Sequence, residues 1–203
     1  MTLDTWLVFL VAAIGLSFTP GPNGLLALTH GALYGVRRTV FTVLGGALGF
    51  FIVIAIAMFG IGALLIVVPE LLVVLKWVGG AYLVYLGVMV WRSAPITVAA
   101  SVDRPVASRW SLFQQGLLAA VTNPKGILFF VAFLPQFIDP ERDLAVQFVI
   151  MASTFIVIEF VFELVVAGLS QSLQPVLARA GRWFNRATGG LFVLIGVLLP
   201  WQL

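Results

Sequence analysis

Residues 3–34 read LDTWLVFLVAAIGLSFTPGPNGLLALTHGALY, an apolar run interrupted once, at Thr19-Pro20-Gly21-Pro22-Asn23. About 20 apolar residues carry a helix across the hydrocarbon core of a bilayer, so this run is too long for one perpendicular crossing. A proline inside a helix removes a hydrogen-bond donor and frees a carbonyl, and in hydrocarbon such groups must find partners or line a wet cavity. The run is therefore expected to form one broken membrane helix. A second run of the same build covers residues 110–138 and is interrupted at Thr122-Asn123-Pro124-Lys125-Gly126.

Four more apolar blocks surround these two, at residues 39–68, 71–91, 144–169 and 187–203. The six blocks explain why 62% of the 203 residues are hydrophobic and 9% charged, against about 25% charged in an average soluble domain. No length remains for a separate soluble domain, and the expectation is a single transmembrane domain over residues 1–203. No Lys or Arg precedes Arg37, so the basic region of a cleaved signal is missing and the first block reads as a retained helix. Arg37, Arg38, Arg92, Arg104, Arg109, Arg179, Arg182 and Arg186 fall in connections on one side, and Lys76 and Arg142 on the other. Positively charged loops stay in the cytoplasm, which places both termini outside. The same pattern absorbs the excess of 11 basic over 8 acidic residues. The partner it implies is the lipid bilayer, with no nucleic acid.

The halves on either side of the polar loop 93–109, residues 1–92 and 110–203, look alike. Each opens with an overlong block broken at a proline preceded by threonine. Gly80 and Gly87-Val88 of the third block return as Gly189 and Gly196-Val197 in the sixth. Three crossings per half force the halves to be inverted, a plan in which transporters hold substrate near the midplane. The expected fold is thus an all-α integral membrane protein of six transmembrane helices. They form two inverted three-helix repeats, with helices 1 and 4 broken at proline.

Thr19, Pro20, Gly21, Pro22 and Asn23 of the first break, with Asn123, Pro124, Lys125 and Gly126 of the second, form the candidate substrate-binding set. Gly21 and Gly126 permit backbone geometry that other residues resist, and the asparagines add side-chain amides. A proline kink that serves packing alone is the plainer alternative. Lys125, Glu159 and Glu163 are the charged residues well inside apolar blocks, where each costs at least about 2.5–3.5 kcal/mol to insert. Glu159 and Glu163, four apart, share a helical face and are the candidates for proton coupling; Glu163, nearer the cytoplasmic end, is expected to reach water. A Lys–Glu pair that merely joins two helices is the alternative for both acids. His30 is read as interfacial. With one histidine and no cysteine, no metal site, thiol chemistry or catalytic dyad is expected, and without a phosphate-binding loop the chain cannot pump by ATP on its own.

At Pro20-Gly21-Pro22-Asn23, Gly35-Val36-Arg37-Arg38, Lys76-Trp77-Val78-Gly79-Gly80, Gln115-Gly116-Leu117-Leu118, Thr122-Asn123-Pro124-Lys125 and Phe133-Leu134-Pro135-Gln136-Phe137, the chain resembles the lysine exporter and homoserine/threonine resistance family (LysE/RhtB type). The resemblance implies secondary efflux of amino acids across a bacterial-type inner membrane, powered by the proton gradient, with no cofactor. It leaves a homodimer open. Phe50, Val53, Val166 and Glu163 depart from the family's usual look and leave the cargo open among threonine, homoserine, leucine and basic amino acids. Few formal charges near the breaks favour a small neutral zwitterion. The competing readings are a membrane-embedded enzyme using Lys125 and the glutamates as acid and base, and a passive channel.

Overall fold

The computed structural model describes residues 1–19, 21–67, 71–92 and 107–170, together with part of 182–198. Among these, all regular structure is helical: α1 (Leu3–Phe18), α2 (Pro22–Tyr34), α3 (Val36–Val67), α4 (Leu71–Arg92), α5 (Arg109–Val121), α6 (Pro124–Phe133) and α7 (Leu144–Gly168), with a 3-10 turn at Leu134–Phe137. Pro20, most of the loop 93–109, and Arg179 and Ser172 beyond α7 lie outside the described residues.

Polar residues at the block edges start the helices. Thr2 accepts from the Thr5 N–H at 3.3 Å, Ser108 from Ser111 at 3.1 Å and Asp143 from Val146 at 2.8 Å, each cap worth about 1 kcal/mol. The two interior breaks are built differently. Pro22 follows the cap residue Gly21, and Pro124 follows Asn123, so each proline opens a new half-helix, where its missing N–H would have lacked a partner anyway. The expected broken helices are present as α1–α2, inclined by 52°, and α5–α6.

Among the described residues, Val36–Gly60 of α3 and all of α7 are long and apolar enough to cross a membrane, and the bent pair α1–α2 makes a third where it is counted as one span rather than a re-entrant loop. The faces of α7 sort cleanly. Phe148, Met151, Ala152, Phe155, Glu159, Glu163 and Ala167 are buried, while Val149, Val157, Val161 and Val165 are exposed. An apolar face turned outward suits lipid, where the backbone is already satisfied within the helix.

Small residues set how closely the helices approach. A Cβ added to Gly116 of α5 would strike the Thr42 carbonyl, and one on Gly45 of α3 the Phe113 carbonyl. Glycines of α4 and the last block meet in the same way, since a Cβ on Gly87 would lie 2.6 Å from the Gly189 oxygen. Two hydrogen bonds identify the ends of the bundle. Arg142 Nη1 donates to Met1 O at 3.2 Å, joining the N-terminus to the turn before α7; Arg38 Nη1 donates to Ala107 O at 3.2 Å, joining the start of α3 to the approach to α5.

Candidate functional site

The two breaks meet inside the bundle. Asn123 Nδ2 donates to Asn23 Oδ1 at 3.5 Å across a sequence separation of 100 residues, while Asn123 Oδ1 accepts from the Lys125 and Gly126 N–H groups at 3.1 and 3.3 Å. Thr19, Asn23 and Asn123 are all buried. Of the expected set, Thr19, Gly21, Asn23, Asn123, Lys125 and Gly126 come together here; the Pro22 ring is exposed.

Lys125 answers the question of where the freed carbonyls go. The last carbonyls of a helix are short of N–H partners, and at the end of α1 Lys125 Nζ donates to Thr19 O at 2.9 Å and, beside the Thr19 N–H, to Leu16 O at 3.0 Å. The Thr19 hydroxyl takes Gly15 O at 2.8 Å. A cation at a helix C-terminus is also favoured by the helix dipole. Gly21 leaves room for this approach, since a Cβ there would sit 2.9 Å from Lys125 Nζ and displace it. Its backbone, φ −145° and ψ 172°, is ordinary extended chain, so the expectation that Gly21 supplies unusual backbone geometry is corrected: it supplies space.

Glu159 and Glu163 both face the same interior. Glu159 lies beside Lys125 and Ser17, and Glu163 beside Glu159 and Lys125. Glu159 Oε2, Glu163 Oε1 and the Ser17 hydroxyl are buried without a hydrogen-bond partner. Among the described residues the one ion pair within 4.0 Å is Arg142–Asp139, at 2.9 Å. Lys125 is therefore not paired directly with either glutamate, and the alternative of a simple Lys–Glu pair joining two helices does not describe the site. One further expectation changes. Glu163 does not reach water, being 2% exposed against 7% for Glu159; it packs toward Gly46 of α3, where a Cβ would lie 2.9 Å from Asn23 Nδ2 and 3.6 Å from Glu163 Oε2. The His30 side chain is buried at 5% exposure, and beside it Gly31 lets α2 press directly against Ala167 of α7.

Sequence reasoning missed Ser17 and Gly46 as parts of the site. Gly46 sits in the run Gly45-Gly46-Ala47-Leu48-Gly49, a stretch of small residues that by itself suggests only close helix packing. Nothing local to Ser17 marks it.

Toward the Met1–Arg142 end the site is closed by aromatic rings. Starting at Phe50, which would touch a Cβ on Gly126 at 3.1 Å, centroid contacts run through Phe155 at 5.1 Å, Phe130 at 4.9 Å and Phe129 at 5.4 Å. They continue through Phe133 at 4.6 Å, Phe137 at 4.7 Å and Phe9 at 5.4 Å. The breaks thus gather a cation, two acids and two amides into one buried polar cluster, with apolar rings packed on one side.

Residues 14–202 match the LysE type translocator family. The chain belongs to that family. A homoserine/homoserine lactone efflux protein of Salmonella typhimurium is 32% identical over 201 residues, covering 98% of this chain and 97% of the relative. A leucine efflux protein of the same organism is 31% identical over 161 residues, or 79% and 76% of the two chains. An uncharacterized membrane protein of Vibrio cholerae is 33% identical over 206 residues, 98% of each. No solved structure matches. The family expected from the break motifs is thus the family found, and the paired breaks of this translocator run through the matched region.

Proposed function

We propose that this LysE-type translocator is a secondary active exporter of small neutral amino acids, exchanging them for protons across a bacterial-type cytoplasmic membrane. One observation carries the reading: a lysine and two glutamates lie in one polar cluster inside the bundle without pairing to one another. An ammonium has three N–H donors, and two of those on Lys125 are spent on Leu16 O and Thr19 O. The third suits a substrate carboxylate, while the unpartnered oxygens of Glu159 and Glu163 suit a substrate ammonium. A zwitterion satisfies both kinds of group and an extra charge on its side chain would find no partner, so small neutral amino acids fit better than lysine. The relatives named for homoserine and leucine efflux support the same class. In proteoliposomes with an imposed pH gradient, saturable transport of threonine, homoserine or leucine is expected, with lysine a poor substrate. Good lysine transport with those three ignored overturns the substrate class; product formation points to an enzyme, and flux that ignores the gradient to a passive channel.

The architecture proposed with this function is six spans in two inverted repeats, both termini outside. The two ends of the bundle support the grouping, since the N-terminus shares one end with Arg142 and the start of α3 shares the other with Ala107. Single cysteines replacing Ser101 and Ser172, both outside the described residues, should resist an impermeant thiol reagent applied outside, and one replacing Asp143 should react. Labelling at position 101 from outside overturns the orientation and, with it, the inverted repeat.

A further inference from the structure

His30 is a buried titratable group for which the exchange cycle above has no use. Its Nδ1 lies 2.8 Å from Thr42 Oγ1 of α3, and the ring also faces Gln115 of α5. Helix geometry places it close to the acids. Thr42 comes one turn before Gly46, about 6 Å along α3 at the standard rise, and Gly46 is where Asn23 and the Glu163 carboxylate meet. His30 follows Asn23 by two turns on the same face of α2. Its neighbour Gly31 backs onto Ala167, one turn beyond Glu163 on α7. His30 is thus one turn from Glu163, on the side toward the Arg38–Ala107 end.

From His30 a polar file continues to that end. Gln115 is exposed, and its Nε2 donates to Ser111 Oγ at 3.1 Å. The Ser111 N–H donates to Ser108 Oγ at 3.1 Å, beside the Ala107 carbonyl that Arg38 holds. In the opposite direction lie the packed phenylalanines. The groups facing His30 are Thr42 from α3, Gln115 from α5, Glu163 one turn away on α7 and, on its own helix, the Tyr34 ring at 5.4 Å.

We propose that His30 is a relay through which protons pass between the buried carboxyls and water at the Arg38 end, a role that rests on the proton-exchange reading above. With the Thr42 hydroxyl turned toward Nδ1, Nε2 carries the ring hydrogen. A protonated Glu163 carboxyl gives its proton, through one water, to the Thr42 oxygen as the Thr42 hydroxyl hands its own proton to Nδ1; the imidazolium then releases the Nε2 proton to water on the Gln115 side. One proton moves, a carboxylate and a neutral ring remain, and no other bond changes. Histidine suits the step because its ordinary pKa lies near neutrality.

The test compares wild type with His30→Gln in proteoliposomes, reading two fluxes. Exchange of labelled for unlabelled substrate, which moves no net proton, should stay within about twofold of wild type. Export driven by a pH gradient should fall about tenfold or more, and its dependence on pH around neutrality should flatten. Equal losses in both fluxes show a packing role and overturn the relay, as does driven export at the wild-type rate. If wild type itself ignores the gradient, the proton-exchange reading fails first. Should His30→Gln not fold, Thr42→Val removes the hydroxyl from Nδ1 while leaving the ring. It should slow driven export several-fold with exchange retained, and unchanged driven export overturns the relay.

Discussion

Lys125→Met is expected to abolish substrate binding and to destabilise the protein by about 3–5 kcal/mol, the usual loss when one member of a buried charge set is removed. Methionine keeps most of the stem, so the change isolates the ammonium. Without it, Thr19 O at the end of α1 loses its Lys125 donor while Leu16 O keeps only the Thr19 N–H, and a buried unsatisfied carbonyl costs about 1–3 kcal/mol. The acids beside it lose their cation at the same time. The α1–α2 break should loosen first, because Lys125 bridges α6 to it. Thermal unfolding in detergent should show a midpoint lower by about 10 °C for a chain of this size, with substrate protection lost. Lys125→Arg should not restore function, because Gly21 lies so near Nζ that the larger guanidinium has no room. A Lys125→Met protein that melts like wild type and is still stabilised by substrate would sink the assignment.

Glu159→Gln is expected to reduce proton-driven export by about 100-fold or more while leaving substrate exchange and folding intact. Coupling needs a carboxyl that alternates between protonated and ionised as access switches, and an amide of the same shape cannot. Glu159 is placed for that task between Lys125 and Ser17, with Oε2 unpartnered. Folding should largely survive, since glutamine keeps the shape of the side chain and Glu163 remains beside Lys125 as a second acid. Glu163→Gln should have a smaller effect on driven export if Glu159 is the carrier. Normal driven export by Glu159→Gln, measured with the same gradient, returns Glu159 to a structural role.

The parts of this site that were legible in the sequence are those with local causes. Proline and glycine act on the backbone where they stand, so the interruptions at 19–23 and 122–126 were visible, and the structure opens α2 and α6 at Pro22 and Pro124. The four-residue spacing of Glu159 and Glu163 fixes a common helical face, and both are buried on it. Hydropathy alone identified the membrane as solvent, and α3 and α7 carry that pattern.

What the chain could not show by itself depends on partners far along it. Lys125 binds carbonyls 106 and 109 residues away and not a glutamate, a choice made where the two breaks meet. Gly46 came to lie against Asn23 and Glu163, and His30 became a buried residue beside the close approach of α2 to α7 at Gly31. The sequence by itself determined the solvent, the helices and the two places where they break, because hydropathy, helical period and proline chemistry act within a few residues. The tertiary structure decided which of the buried charges touch and which stand apart, because that depends on helix packing to within an ångström.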